Sequence, residues 1–451
     1  MVGRKRPTVV SPVRGLPFFG NTLQMAADPA RFFVRCYREY GPVFRIKLLR
    51  KTYTVIAGAE AANFLGTREG RESLRSKEFW QGLVEEYGAT RMINGEDGES
   101  HKQLREVMHR GYSRDAINGR HQELVEITDR SIERDWKPGG LIPVVQAMQR
   151  MVTDQLGSIL TGRAPMEYVA DIRTTTLYIL NVRVTRQRPE FLLRHPKYRR
   201  AKSRVFELGE KMIADYYARI DTKTPEQKNL VDDIMDAHRT HPEVMPVEDL
   251  VISLIGPYVA GLDTVANTTS AFAYAVLKHP EVLERVQREA DEMFARGPID
   301  DEALQQIPAI RGALMETMRL YPIAVAQMRT ATRDFSFAGY LIRAGETIYI
   351  GTSVPHFMHE YYPDPDTFDI DRYGKSRAEH LQPGAYSPYG RGPHTCLGKG
   401  LADVQMAITM ARLFQRLDLR LTPPDYKLAI TTAPAPGPSI RFKVRVNGYR
   451  H

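Results

Sequence analysis

Along most of this chain apolar residues recur at the three- and four-residue spacing of amphipathic helices, and the runs that alternate instead gather near its two ends. Pro29–Tyr40 (PARFFVRCYREY) predicts a helix with Phe32, Phe33 and Cys36 near one face. Two strand-like runs follow, Val43–Leu48 and Thr52–Ala57, split by a short basic turn. From about residue 60 to 330 the chain reads as mostly helical. Segments 117–135, 141–161, 165–183, 199–220 and 247–278 carry the spacing, and Pro280 opens another at 280–294, where its missing N–H costs little. After Pro322 the texture changes. Residues 335–350 alternate around Gly339 and Gly345 like a hairpin, and a proline-rich coil follows. A last long helix is expected over roughly 398–415, ahead of a strand-like 428–446 with a Pro/Gly turn at 434–438. The opening 7–20 segment is Pro/Gly-rich and is expected to lie extended over the surface. The predicted architecture is mainly α in a single domain over 1–451, with small sheets from about 40–60, 330–355 and 428–446. This is not the alternating order of a doubly wound sheet.

Composition narrows the class. The 451 residues are 42% hydrophobic and 26% charged, ordinary for a globular protein with room for a cofactor and a substrate. Two cysteines, Cys36 and Cys396, exclude a disulfide scaffold and fit a reducing compartment. Cys36 reads as a small buried hydrophobe. No run approaches the roughly 20 apolar residues of a membrane span, and the N-terminus (MVGRKRPTVV) has charge without an apolar core, so neither a secretory signal nor a transmembrane anchor is expected in this chain. These features predict a cytoplasmic protein. The net charge of +9 suits an acidic partner, a membrane surface or nucleic acid, and does not choose among them.

The most informative segment is 386–406, YSPYGRGPHTCLGKGLADVQM. Glycines at 390, 392, 398 and 400 and prolines at 388 and 393 surround Cys396, so the loop can turn tightly and aim backbone N–H groups at one sulfur. A thiol so placed, beside a helix N-terminus, is suited to ionise and bind a soft metal. Zinc is a poor fit, because no second cysteine is nearby. The stretch Tyr389-x-x-Gly392-x-His394-x-Cys396-x-Gly398 resembles the haem-binding loop of the cytochrome P450 family, with Tyr389 where the family usually has Phe.

Three further segments carry the same resemblance. Glu316-Thr-Met-Arg319, followed by Arg372 in 363–373 (PDPDTFDIDRY), is similar to the family's Glu-x-x-Arg and third Arg, which implies a buried network bracing the loop under the haem. Pro246–Lys278 allows a helix of about 33 residues, roughly 50 Å long. Its middle, Ala260-Gly261-Leu262-Asp263-Thr264, resembles the family's oxygen-activating groove: Ala260 and Gly261 against the cofactor, Thr264 stabilising activated oxygen, and Asp263 relaying protons with water. Gly256-Pro257 is expected to bend this helix or its start. His101 and Arg105, at i and i+4 after Asp97, together with Arg329 and His394, occupy positions that the resemblance assigns to the haem propionates.

The resemblance spans essentially the whole chain. It implies a soluble haem-thiolate monooxygenase with haem b (iron protoporphyrin IX) between the long helix and the Cys396 loop, Cys396 ligating the iron. It further implies O₂, a hydrophobic small-molecule substrate, and electrons from a separate ferredoxin or flavodoxin with its reductase. No nucleic-acid partner is expected. The substrate is expected near 76–95, 170–190, 258–264, 323–327 and 432–435, with Trp80, Leu83, Met92 and Ile323–Ala326 as apolar wall. The redox partner is expected to meet Lys102, Arg110, Arg391, Lys399 and Arg412, while the basic 183–204 segment reads as a solvated face. Peroxide-driven, coupling or isomerising chemistry on the same fold is the alternative, and a haem sensor is a more distant one.

Overall fold

The computed structural model describes residues 10–450 except 115, 221, 223, 225, 226 and 429–441. It is 59% helical with small sheets. The helices form because apolar residues share one face and caps close the ends. Pro29–Tyr40, for example, starts on an Asp28 carboxylate that accepts the Arg31 N–H, and it buries Phe32, Phe33 and Cys36 as expected. Burial raises the Cys36 thiol to about 12, which leaves it a neutral packing group.

A six-stranded sheet runs in the order Ser11–Pro12, Val43–Leu48, Lys51–Ala57, Thr347–Gly351, Gln327–Ala331, Leu74–Arg75. The expected 335–350 hairpin is only half present. Phe335–Phe337 pairs with Tyr340–Ile342 across Ala338 and Gly339, both left-handed, but Thr347–Gly351 leaves to lie parallel to Lys51–Ala57 and antiparallel to Gln327–Ala331. Alternation identified the strand and not its partner, because Ile348 and Ile350 are buried whichever neighbour covers them. A three-stranded sheet joins Leu417–Thr422, Lys443–Tyr449 and Leu141–Pro143. Leu141–Pro143 therefore corrects the helix expected over 141–161, which begins at Val144 and closes in a π turn over Gly157–Thr161. The strand Leu417–Thr422 was not anticipated, and the turn expected at 434–438 lies outside the described residues. The helix expected at 199–220 spans Pro196–Tyr217, its first turn opened by Pro196.

The longest helix, Leu250–Lys278, follows a 3₁₀ turn at Val247–Asp249 and runs unbroken through Pro257. By length and composition it could cross a membrane, a property the sequence reading overlooked, but most of it is buried among the other helices. It packs on Val144–Leu156, Pro196–Tyr217 and Pro308–Leu320, and the largest apolar core forms around it.

Candidate active site

The Cys396 loop lies between the coil after Tyr386 and the final helix, Lys399–Arg416. Gly390 and Gly392 both adopt left-handed backbone (φ 71° and 75°), and a Cβ on Gly392 would meet the Leu65 carbonyl oxygen at 2.2 Å. Only glycine allows that fold-back. The Cys396 N–H donates to the Tyr389 carbonyl at 2.9 Å and the Thr395 N–H to the Gly392 carbonyl at 3.1 Å, which fixes the loop from within. Cys396 keeps accessible surface. Its thiol is pushed up by burial of the surrounding loop, and is drawn back by the Gly398 N–H aimed at sulfur and by the Arg105 and Lys399 charges. The net direction is upward, which corrects the expectation that the loop alone would favour the thiolate: burial outweighs the Gly398 N–H and the two cations, and ionisation would need the charge of a bound metal.

Tyr389 does more than replace a phenylalanine. Its hydroxyl donates to the Asp403 carboxylate one turn into the final helix, and the Lys399 ammonium sits 5.7 Å from its ring centroid. Burial and Asp403 hold the Tyr389 phenol well above its ordinary value, so it stays a donor. The sequence reading missed Asp403. Asp403 is the nearest carboxylate downstream of Tyr389 in the sequence.

Four nitrogen-bearing side chains gather beside this loop, as predicted. His101 and Arg105 project from Gly98–Tyr112, Arg329 from the strand Gln327–Ala331, and His394 from the loop itself. The His101 and His394 rings lie 4.3 Å apart. Arg105 donates to the Thr395 carbonyl at 2.9 Å. Arg329 is buried and reaches only neutral acceptors, the Met328 carbonyl at 2.7 Å and the Gln327 amide oxygen at 2.9 Å. Burial lowers it to about 10, and burial with the neighbouring His394 and Arg105 charges lowers His101 to about 4. The single acid of the cluster is Asp97, 2.8 Å from His394 Nε2 and accepting the Ser76 N–H at 2.8 Å. So many cationic and N–H groups around one carboxylate leave unmet demand for anionic oxygens. His101 is therefore neutral near pH 7 and can offer an N–H donor.

The long helix carries the second half of the site. Among its mostly buried residues, Ala260 is exposed and Gly256, Gly261 and Thr264 are partly so, which defines an open strip at mid-helix. Thr264 Oγ1 donates to the Ala260 carbonyl at 2.7 Å. Gly261 serves a different contact from the one expected, since its absent Cβ makes room for Leu156 of Val144–Leu156, 2.6 Å away. Asp263 is buried on that side, where Gln149 Nε2 donates to its carboxylate at 3.2 Å and Asn267 Nδ2 to its backbone carbonyl at 2.7 Å. Burial raises Asp263 to about 6, while these amides and the Arg173 charge restrain it. Gln149 and Asn267 were not foreseen, and their buried Oε1 and Oδ1 have no protein partner.

Glu316, Arg319 and Arg372 meet as predicted, all fully or almost fully buried. Arg319 makes two 2.7 Å bonds to the two Glu316 oxygens, and Arg372 Nε reaches Glu316 at 3.2 Å. Tyr373 and Glu379, absent from the prediction, complete the set at 2.6 Å from Glu316 and 3.0 Å from Arg372. The arginines also donate to the Pro363, Asp364 and Pro365 carbonyls, tying down the proline-rich coil. A Cβ on Gly312 would meet the Ile370 carbonyl oxygen at 2.3 Å, so this helix must present glycine to that coil.

Other expectations change. Of the five docking cations, Arg110 is paired with Asp233, Arg412 makes two 2.8 Å bonds to Asp129, and Arg391 donates to Ser387, Asn63 and Tyr386. Lys102 and Lys399 remain exposed. Leu83 is core, whereas Trp80, Met92 and Ile323 are only partly buried. In 183–204, Arg183 and Lys202 both pair with Glu86, at 3.2 and 2.9 Å.

A solitary accessible thiol on a glycine-held loop, cationic groups short of carboxylates and a helix with an open polar strip make up the candidate site. Residues 10–439 match the sequence profile of the family described as Cytochrome P450, and the chain belongs to that family. It is 25% identical to putative cytochrome P450 120 of Synechocystis over 95% of both chains. It is also 25% identical to the sterol 14alpha-demethylase of Mycolicibacterium vanbaalenii over 95% of this chain and 96% of that protein. The structure of cyanobacterial CYP120A1 with bound retinoic acid superposes with a TM-score of 0.81 at 23% identity, covering 98% of this chain and all of that one. Membership makes the protein a haem-dependent oxygenase that takes O₂, a substrate and electrons from a redox partner.

Proposed function

We propose that the protein inserts one atom of O₂ into a hydrophobic substrate, with two electrons from a separate ferredoxin or flavodoxin and two protons delivered through Asp263 and Thr264. The observation that carries this reading is the pairing of an accessible Thr264 hydroxyl with a buried carboxyl held near neutrality. Cys396 would ligate the iron. Arg105, Arg329, His101 and His394 would hold the propionates, and Glu316, Arg319 and Arg372 would brace the coil leading to the ligand loop. Bound haem supplies oxygen activation, which a thiolate ligand favours over reversible oxygen carriage.

The chain's own part is proton handling and orientation. At about 6, the Asp263 carboxyl is populated in both forms near neutral pH, as a relay requires. Gln149 fixes one of its oxygens, and the open Gln149 and Asn267 acceptors give ordered water a place to bridge inward. Thr264 needs only to rotate from the Ala260 carbonyl to present its proton to the cleft. Ala260, Trp80, Met92 and Ile323–Ala326, apolar and at least partly accessible, would supply its apolar lining. One similar protein was solved with retinoic acid bound and another is a sterol 14alpha-demethylase, and both molecules are large and lipophilic, which favours that substrate class here. An acidic partner would find Lys399 exposed, while Lys102, also exposed, lies 3.9 Å from Glu99 and 3.8 Å from Glu106.

The test compares turnover of lipophilic compounds, retinoic acid among them, driven by a ferredoxin system or by peroxide alone. Thr264→Ala should release more peroxide per electron consumed than the wild type. Unchanged coupling, or turnover with peroxide only, would assign the fold to the alternative chemistry.

A further inference from the structure

The helix Val169–Ile179 carries a cation that the fold itself does not use. Its outer side, Ala170, Asp171 and Thr174, borders a surface hollow beside Pro196 and Lys197, and Asp171 meets Arg204 at 3.6 Å. Arg173 lies farther round the helix, and its charge reaches Asp263 of the long helix, on which this one packs. Among the described residues Arg173 makes no ion pair and no hydrogen bond, and its Nε is buried without a partner. Its neighbours differ. Arg183 meets Glu86 at 3.2 Å and Arg204 meets Glu207 at 2.8 Å.

A second unmet group sits one turn on. Thr176 is buried, and its Oγ1 has no partner. Buried helical threonines elsewhere in the chain, Thr128, Thr153, Thr268, Thr269 and Thr317, each donate to the carbonyl four residues back. Thr176 makes no such bond, so its hydroxyl stays available. Positions i and i+3 put Arg173 and Thr176 on one helix face, within reach of a single small group. Thr175, also unpartnered, falls on the far side of the helix from Arg173 by the same spacing.

A half-buried guanidinium and a buried hydroxyl, both unmet, cost stability, and folding alone would favour an apolar pair there. Together they call for a charged acceptor. The planar fork of a guanidinium matches a carboxylate, which can take two of its N–H groups at once. One cation balances one negative charge, and the neighbouring Asp263 would repel a doubly charged phosphate more strongly.

We propose that Arg173 and Thr176 recognise a carboxylate on the substrate, so that the preferred substrates are lipophilic carboxylic acids rather than neutral lipids. The inference rests on the proposed oxygenation of a hydrophobic substrate for the apolar part of the molecule, and adds the charged part. A carboxylate held at Arg173 fixes one end of the molecule, and so decides which of its carbons lies against the open strip at Ala260 and Thr264.

The test is equilibrium dialysis of the haem-loaded full chain with palmitic acid against 1-hexadecanol, and with retinoic acid against retinol. Binding is read without turnover, so the outcome is separate from whether the bound molecule is oxygenated. Wild type should bind at least one acid about tenfold or more tightly than its alcohol. Arg173→Met should abolish that preference, hold the alcohol's affinity within about twofold, and keep the thermal midpoint, since no partner is stranded. Thr176→Val should weaken acid binding about threefold. Lys197→Met, which removes an exposed cation of the outer hollow, should leave the preference intact. The proposal is overturned if no acid binds more tightly than its alcohol, or if the preference survives in Arg173→Met. Surviving preference together with altered peroxide release in that variant would instead make Arg173 an accessory of Asp263.

Discussion

The buried network around Glu316 and the buried polar groups around Asp263 and Arg329 are built on opposite terms. Around Glu316 every strong donor and acceptor is met: both glutamate oxygens are bonded, and the two arginines are spent on carboxylates and coil carbonyls. Around Asp263 and Arg329 the balance is left open, with amide oxygens lacking partners and a buried guanidinium lacking a carboxylate. A saturated network resists change and sets geometry. An unsaturated one holds capacity for a further partner. Burial is common to both sets; what differs is that the Glu316 arginines meet carboxylates while Arg329 meets only neutral acceptors.

The largest expected effect breaks the saturated side. Glu316→Ala strands two buried guanidiniums and should cost about 3–5 kcal/mol, read as a lower denaturant midpoint. A loss under 1 kcal/mol would mean the network is not the brace the geometry describes. On the open side, Asp263→Asn tests the raised carboxyl through its pH dependence. A group whose folded value, about 6, lies above its unfolded value of 3.8 favours folding below 3.8, and that contribution is lost as pH rises through 6. The asparagine variant should therefore gain on wild type above pH 6, by up to about 3 kcal/mol, and show no gain at pH near 3. An equal difference at both pH values would contradict the assignment.

Arg329→Met sharpens the contrast between the clusters. Losing a charge-assisted partner of about 2 kcal/mol should speed haem transfer to apomyoglobin roughly thirtyfold. Arg372→Met should lower the thermal midpoint more than it changes that transfer. The smallest effect is expected at Tyr389→Phe, which leaves the Asp403 carboxyl without its donor and should cost about 1 kcal/mol in the same denaturation experiment. Combining it with Asp403→Leu should recover part of the loss.

The sequence was most legible where chemistry demands particular residues at short spacing. Cys396 with its glycines, and Glu316 with Arg319 one turn on, declare themselves locally, because backbone sterics and helix periodicity act within a few residues. Most partners that complete each cluster come from far along the chain: Gln149 for Asp263, Tyr373 for Glu316, Asp97 for His394. No pattern within one segment announces them. The same holds for Thr347–Gly351, readable as a strand yet paired far from its neighbour in sequence. Gly261 shows the converse, since its small size was evident while the occupant, Leu156, belongs to a helix about a hundred residues earlier. The spent docking cations teach a related lesson: positive charge counted along the chain is not positive charge free on the surface.

The most direct test of the central claim is the absorption spectrum of the reduced, carbon monoxide-bound protein beside that of Cys396→Ala. Thiolate ligation predicts a strongly red-shifted Soret band in wild type that the substitution abolishes. A histidine-type spectrum in both proteins, or a red-shifted band that survives the loss of Cys396, would contradict it.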